Sequence, residues 1–179
     1  MENTSILILG AGELGMPVIR NITKNAKNHN NVKVTVLLRE ATINSEDPDK
    51  KSNVTEIREL GVELLAGDLS APSSELIAIF KKYDAVVSCT GYGTGAGGFQ
   101  LKLANAVLDA GVKRYFPWQF GVDFEVIGRA SAQDLFDEQL DVQELLRSQS
   151  ATKWVIVSTG MFTSYLFEPF FSILDLEKK

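Results

Sequence analysis

The sequence predicts an α/β fold: a doubly wound, mainly parallel sheet of six strands with helices on both faces. Three observations carry that prediction. Short, near-continuous apolar runs rich in β-branched residues recur along the chain, the pattern of strands buried on both faces. Segments long enough for helices separate them, which parallel strands need for their crossovers. The first apolar run also ends in a glycine-rich stretch that leads directly into a helical segment.

In order, the first strand spans 5–9, and a helix follows Gly12 with Pro17 in its first turn, where a missing N–H costs nothing. The second strand is 32–38. Residues 40–52 are polar, contain Asp47-Pro48 and read as a loop, and 53–60 read as a short helix closed by Gly61. A third strand (62–66) and a helix (73–82) precede the fourth strand (85–89). The helix 99–110 is closed by Gly111 and followed by the fifth strand (114–117), and the sixth strand is 154–158. No internal repeat or low-complexity segment interrupts this order.

Length and composition bound the rest. At 179 residues the chain is one ordinary domain, and 45% hydrophobic with 23% charged residues excludes a disordered or fibrous protein. With 18 Lys and Arg against 23 Asp and Glu, the net charge of -5 gives no reason to expect nucleic acid or an anionic membrane as partner. A lone Cys89 excludes an internal disulfide, and one Cys with one His cannot build a Cys/His zinc site, so no metal is expected. That histidine, His29, lies in a polar run between a helix and a strand and reads as a solvated loop residue. Residues 1–5 carry an acid and no basic segment, and 6–9 are too short to span a membrane, so a soluble, cytoplasmic, reducing location is expected. The Asn-x-Ser/Thr matches at Asn3, Asn21 and Asn53 then read as chance.

The glycine-rich stretch Gly10-Ala11-Gly12-Glu13-Leu14-Gly15 matches G-x-G-x-x-G between a strand and a helix. Gly10 would turn the chain off the strand, Gly12 would let backbone approach a pyrophosphate, and Gly15 would let helix pack on strand. The helix N-terminus offers free N–H groups to the phosphates, so the sequence predicts a dinucleotide-binding Rossmann domain. A second glycine-rich stretch, from Gly91 to Gly98, reads either as a mobile loop over the cofactor or as a merely flexible surface loop. The second strand ends in Arg39, 24 residues beyond Gly15, where NAD-binding domains commonly place an acid. A guanidinium there suits a 2′-phosphate, so NADP(H) is favoured over NAD(H), although the carboxylate of Glu40 opposes it.

These residues resemble the NmrA-like and isoflavone-reductase-like atypical short-chain dehydrogenases. The resemblance rests on the phosphate loop, Val-Leu-Leu-Arg at 36–39, Gly67-Asp68-Leu69, Phe99-Gln100-Leu101-Lys102, Ala110-Gly111-Val112-Lys113-Arg114, and Phe116-Pro117-Trp118-Gln119-Phe120-Gly121. It implies that Asp68 and Leu69 line the adenine pocket and that Thr90 and Gly91 pass the middle of the cofactor. It also implies that Phe120 packs near the nicotinamide. From the residues alone, Asp68 could instead cap a helix starting near Ser70. Gln100 falls on the apolar side of its helix, where it serves either the cleft or the core. Family reductases carry Pro-Ser-Glu-Phe-Gly where this chain has Trp118-Gln119 in place of Ser-Glu, a change in bulk and charge beside the reacting end.

Those reductases also carry a proton-handling lysine in a Phe-x-x-Lys pattern, and here Phe136-Asp137-Glu138 is followed by Gln139. A neutral amide donates and accepts hydrogen bonds but does not titrate, so Gln139 cannot be a general acid or base and the catalytic group is unassigned. In helical projection Asp134, Asp137, Glu138, Asp141 and Glu144 share a solvated acidic face. Gln139 falls on the buried side, contacting either ligand or protein.

Five aromatics lie between Phe162 and Phe171. Exposed, they would form an interface patch. In the resembling family this point opens a smaller substrate-covering region, so we expect a cofactor domain over 1–160 and the start of a truncated C-terminal region over 161–179. The aromatics then pack on the missing part, on the cofactor domain, or on another chain, as in a homo-oligomer. The functional expectation is hydride transfer from NADPH to a small aromatic or unsaturated substrate; the alternative is a non-catalytic cofactor sensor that engages a regulatory protein partner.

Overall fold

Six parallel strands form one sheet in the computed structural model, which describes residues 4–26, 31–91, 97–131 and 135–168. The elements are β1 (Thr4–Leu9), α1 (Gly15–Ala26), β2 (Val32–Leu38), α2 (Glu40–Ile43), α3 (Pro48–Glu59), β3 (Glu63–Ala66) and α4 (Ser73–Phe80). They continue with β4 (Ala85–Ser88), α5 (Phe99–Asp109), β5 (Arg114–Phe116), α6 (Phe124–Ile127), α7 (Leu135–Arg147), β6 (Lys153–Trp154) and a 3-10 turn over Thr163–Phe167. Strand order is β3-β2-β1-β4-β5-β6, the order of a doubly wound Rossmann sheet. Asn3, His29, Asp134, residues 92–96 of the second glycine-rich stretch and residues 169–179 of the tail lie outside the described residues.

Strand side chains alternate between faces, and the two halves of the core follow that alternation. Leu7, Leu9, Leu37, Val86 and Tyr115 pack with Leu76, Phe80, Leu103, Val107, Val142 and Leu146 from α4, α5 and α7. Ile8, Val36, Leu38 and Val87 pack with Met16, Ile19, Val54 and Ile57 from α1 and α3 on the other face. Because both faces are buried, each strand reads as a continuous apolar run, and the register Leu7↔Thr35, Ile8↔Val36 and Leu7↔Val86 keeps equivalent residues in one layer.

Most expected ends shift by a residue or two, and the stretch after β2 and the sixth strand differ by more. The polar stretch after β2 is not a plain loop: α2 forms one turn, and α3 starts at Pro48, with the Asp47 carboxylate accepting from Lys50 N–H at 3.1 Å. Asp at the cap followed by Pro at the first helical position is a helix start as much as a turn. The sixth strand is two residues, not five. Its partner β5 ends before Pro117, which has no N–H to give, and only Val155 N to Tyr115 O (3.1 Å) extends the ladder. Residues 159 and 160 turn instead to the Gly121 carbonyl, at 3.0 and 2.9 Å.

Candidate functional site

In a parallel sheet every strand ends at the same edge, and the predicted site residues follow those ends. Gly10 leaves β1, Arg39 leaves β2, Asp68 and Leu69 follow β3, Thr90 and Gly91 follow β4, and Phe120 follows β5. Between β1 and β4 the winding reverses, which opens the crevice where such sheets bind ligands.

The three glycines of the first loop do three different things. Gly10 has φ +94°, which side chains rarely adopt, and a Cβ there would stand 3.0 Å from the Cys89 carbonyl oxygen. At Gly15 a Cβ would stand 2.4 Å from the Gly10 carbonyl oxygen, so glycine lets α1 pack against the loop. Gly12 is exposed and its φ is not positive, and a Cβ there would meet no protein atom within 4 Å. No contact with a described residue requires glycine at 12, and the space it leaves is open, which fits a pyrophosphate. Leu14 is half-buried among the apolar residues of the α1 face, and exposed Glu13 accepts a hydrogen bond from the Ser164 hydroxyl of the tail turn. Asn53 of α3 braces the loop by donating to the Ala11 carbonyl at 3.3 Å.

At the far end of the crevice, Arg39 is exposed and forms no ion pair with a described residue, while its carbonyl accepts from Thr42 and Ile43 at the start of α2. Asp68 caps no helix. Its carboxylate accepts from the Ser70 hydroxyl (2.7 Å) and Ser70 N–H (2.8 Å), closing a turn. Those bonds hold the carboxyl below its ordinary range, and the positive charges of Arg39 and Lys102 add to the effect. Lys102 clamps the same turn by donating to the carbonyls of Leu69, Ser70 and Ala71 at 3.3, 2.9 and 2.5 Å.

The middle of the edge is built around Gln100, only 2% exposed in the first turn of α5. Its amide donates to Thr90 Oγ1 at 3.1 Å and to the Gly91 carbonyl, tying down the segment that leaves β4. The first turn of α5 is capped from another helix: Glu138 Oε1 accepts from Gln100 N–H at 2.6 Å and Leu101 N–H at 3.0 Å. This corrects the reading of Glu138 as part of a solvated face. The other described members of that face meet cations or backbone, with Asp141 and Glu144 each 2.8 Å from Arg129, and Asp137 accepting from Ala130 N–H at 3.2 Å. Cys89, beside the phosphate loop, is buried and its thiol is pushed up to about 12 by loss of hydration, so it is no nucleophile near neutrality.

Behind Phe120 lies a feature that sequence reading missed. Gln119, Gln139 and Gln143 are 0, 0 and 3% exposed, and their amides form a chain. Gln119 Nε2 donates to the Gln139 Oε1 (2.8 Å) and to the Gln139 backbone carbonyl (3.1 Å), and Gln143 Nε2 donates to Gln119 Oε1 (2.9 Å). Gln139 Nε2 is buried and has no hydrogen-bond partner among the described residues. The two departures noted in the sequence, at 119 and 139, therefore touch each other. The spacing of Gln139 and Gln143, one helical turn apart, was the only local sign.

A family model described as NmrA-like family matches residues 2–179. An NmrA-like family domain-containing oxidoreductase of Gibberella moniliformis is 49% identical over 175 residues, covering 98% of this chain and 57% of the relative. Phenylcoumaran benzylic ether reductase TP7 of Nicotiana tabacum is 30% identical over 167 residues, covering 92% and 51%. Among solved structures, AtPrR2 with NADP+ and (+)pinoresinol superposes with a TM-score of 0.74 at 26% identity, covering 93% of this chain and 53% of that one. An isoflavone reductase gives 0.73 at 27%, covering 93% and 52%. The chain thus spans about half the length of the relatives it matches. No described helix is long and apolar enough to cross a membrane.

Proposed function

The chain belongs to the NmrA-like family, and from that premise we propose that it is the cofactor-binding part of a reductase that uses NADP(H) to reduce a small aromatic or unsaturated molecule. The observation that carries this reading is Gly12, a loop position with no steric need for glycine and open space where a Cβ would stand, at the start of α1 and beside the winding reversal. The backbone N–H groups of 12–15 would hold the pyrophosphate, and Arg39, unpaired at the end of β2, would hold the 2′-phosphate. Thr90 and Gly91, fixed by Gln100, would border the middle of the cofactor, and Phe120 the nicotinamide. Bound there, NADPH would supply the hydride.

The relatives named above support the reductase reading over a cofactor sensor, two of them being an oxidoreductase and a benzylic ether reductase. The pinoresinol complex supports an aromatic substrate class. Thermal unfolding with NADPH, NADH or neither tests the reading. At 100 times its dissociation constant the preferred cofactor adds about 2.7 kcal/mol, or roughly 5–11 °C for a domain of this size. Arg39→Ala should lower the NADPH shift and spare the NADH shift. Absence of any shift with either cofactor refutes dinucleotide binding.

A further inference from the structure

Three consecutive peptide units carry the phosphate loop from β1 into α1, and each is fixed by a different neighbour. The Gly10 carbonyl packs so closely on Gly15 that no Cβ would fit between them. The Gly12 carbonyl accepts from Met16 N–H at 3.0 Å, a hydrogen bond of the helical pattern that leads into α1. Between these two, the Ala11 carbonyl accepts from a side chain of another element, Asn53 Nδ2 of α3, 42 residues along the chain, at 3.3 Å.

That third bond sets the direction of an N–H. In a planar trans peptide the carbonyl and the N–H of the next residue point to opposite sides. An Ala11 carbonyl held toward α3 therefore turns the Gly12 N–H away from α3. The helix α3 joins β2 to β3, on the opposite side of β1 from β4, and the crevice opens between β1 and β4. Away from α3 is thus toward the crevice, and Gly12 has no Cβ to block a ligand's approach there. As a helix residue, asparagine in the interior of α3 is a poor choice, since alanine and leucine are better helix formers. Its neighbours Val54 and Ile57 pack into the core, while half-buried Asn53 supplies a donor that reaches the loop.

We propose that Asn53 is a positioning residue for cofactor binding: by holding the Ala11 carbonyl it aims the Gly12 N–H at the pyrophosphate, without touching the cofactor itself. This role presupposes the dinucleotide site proposed for the loop and adds to it a residue from outside the glycine motif.

The test compares two ligands of the full chain, NADPH and 2′-AMP, the second keeping adenine, ribose and 2′-phosphate but lacking the pyrophosphate. In Asn53→Ala and Asn53→Leu, which both remove the donor, the Kd for NADPH should rise roughly three- to tenfold, the range of one hydrogen bond, while the Kd for 2′-AMP stays within about twofold of wild type. The Tm without ligand should move by less than about 3 °C, because better helix propensity offsets the lost bond. In protein labelled with 15N-glycine, the Gly12 amide signal, identified by its loss in Gly12→Ala, should shift downfield with NADPH in the wild type and by less in either variant. A brace that served only the fold would weaken both ligands together, and that result overturns the inference. So does an NADPH Kd unchanged in both variants, or a Gly12 amide that shifts equally in wild type and variants. A wild type that binds neither NADPH nor NADH overturns the dinucleotide reading itself, and the role of Asn53 with it.

Discussion

Gly12 and Gly15 stand three residues apart in one loop, and the structure assigns them opposite duties, which a pair of alanine substitutions separates. At Gly15 the new Cβ would lie 2.4 Å from the Gly10 carbonyl oxygen and 2.9 Å from its carbon, roughly 1 Å inside normal contact. Both colliding atoms are backbone, so α1 or the strand-to-helix turn must move, at a cost of about 3 kcal/mol, the upper end for overpacking. In thermal unfolding that is roughly 6–12 °C. At Gly12 the Cβ meets nothing, so Gly12→Ala should keep the wild-type Tm to within about 0.5 kcal/mol. Its cost appears only with ligand. At an NADPH concentration 100 times the wild-type dissociation constant, a tenfold weaker variant gains about 1.4 kcal/mol instead of about 2.7. Unfolding curves of both variants with and without NADPH decide the matter. A Gly12→Ala protein stabilised as fully as wild type, or a Gly15→Ala protein as stable as wild type, refutes the reasoning.

Asp84 receives Lys113 Nζ (2.8 Å), Ser5 N–H (2.9 Å) and the Ser5 hydroxyl (2.8 Å), which lower its carboxyl from 3.8 to about 2. A depressed carboxyl stabilises the fold above its unfolded value and loses that contribution as pH falls through its folded value. Asp84→Asn should thus cost about 1–2 kcal/mol at pH 7, with the difference from wild type vanishing between pH 4 and pH 2 in acid denaturation curves. Glu138→Ala leaves two N–H groups of α5 uncapped and should cost about 1–2 kcal/mol in urea unfolding, whereas a solvated glutamate would cost under about 0.5. Cys89, buried with its thiol near 12, should resist iodoacetamide at pH 8 in the native state and react fully in denaturant.

The parallel sheet and the glycine-rich turn after its first strand were legible because their causes are local. Buried parallel strands need unbroken apolar runs, and a strand-to-helix turn that must hug a ligand needs glycine at fixed offsets. The start of α3 was legible in principle, since Asp47 and Pro48 serve equally as a turn or as a cap and first helical residue, and only the helix that follows decides. The length of β6 was not, because it depends on where β5 stops. Glu138 looked solvated because its partners, the N–H groups of Gln100 and Leu101, belong to another helix. The amide chain was hidden for the same reason. Gln119 is 20 residues from Gln139 and 24 from Gln143, so the buried side expected for Gln139 gave no sign of which residue it meets there.

Among the described residues the sheet runs from β3, four residues long, to β6, two residues long. Exposed strand edges invite pairing with foreign chains, and the invitation scales with the length of unpaired backbone. Here the β6 rim offers two residues beginning with exposed Lys153, and the β3 rim begins with Glu63, paired to Lys33 at 2.8 Å. That brevity leaves the described sheet with two rims that are short and carry charge, poor templates for lateral growth into aggregates.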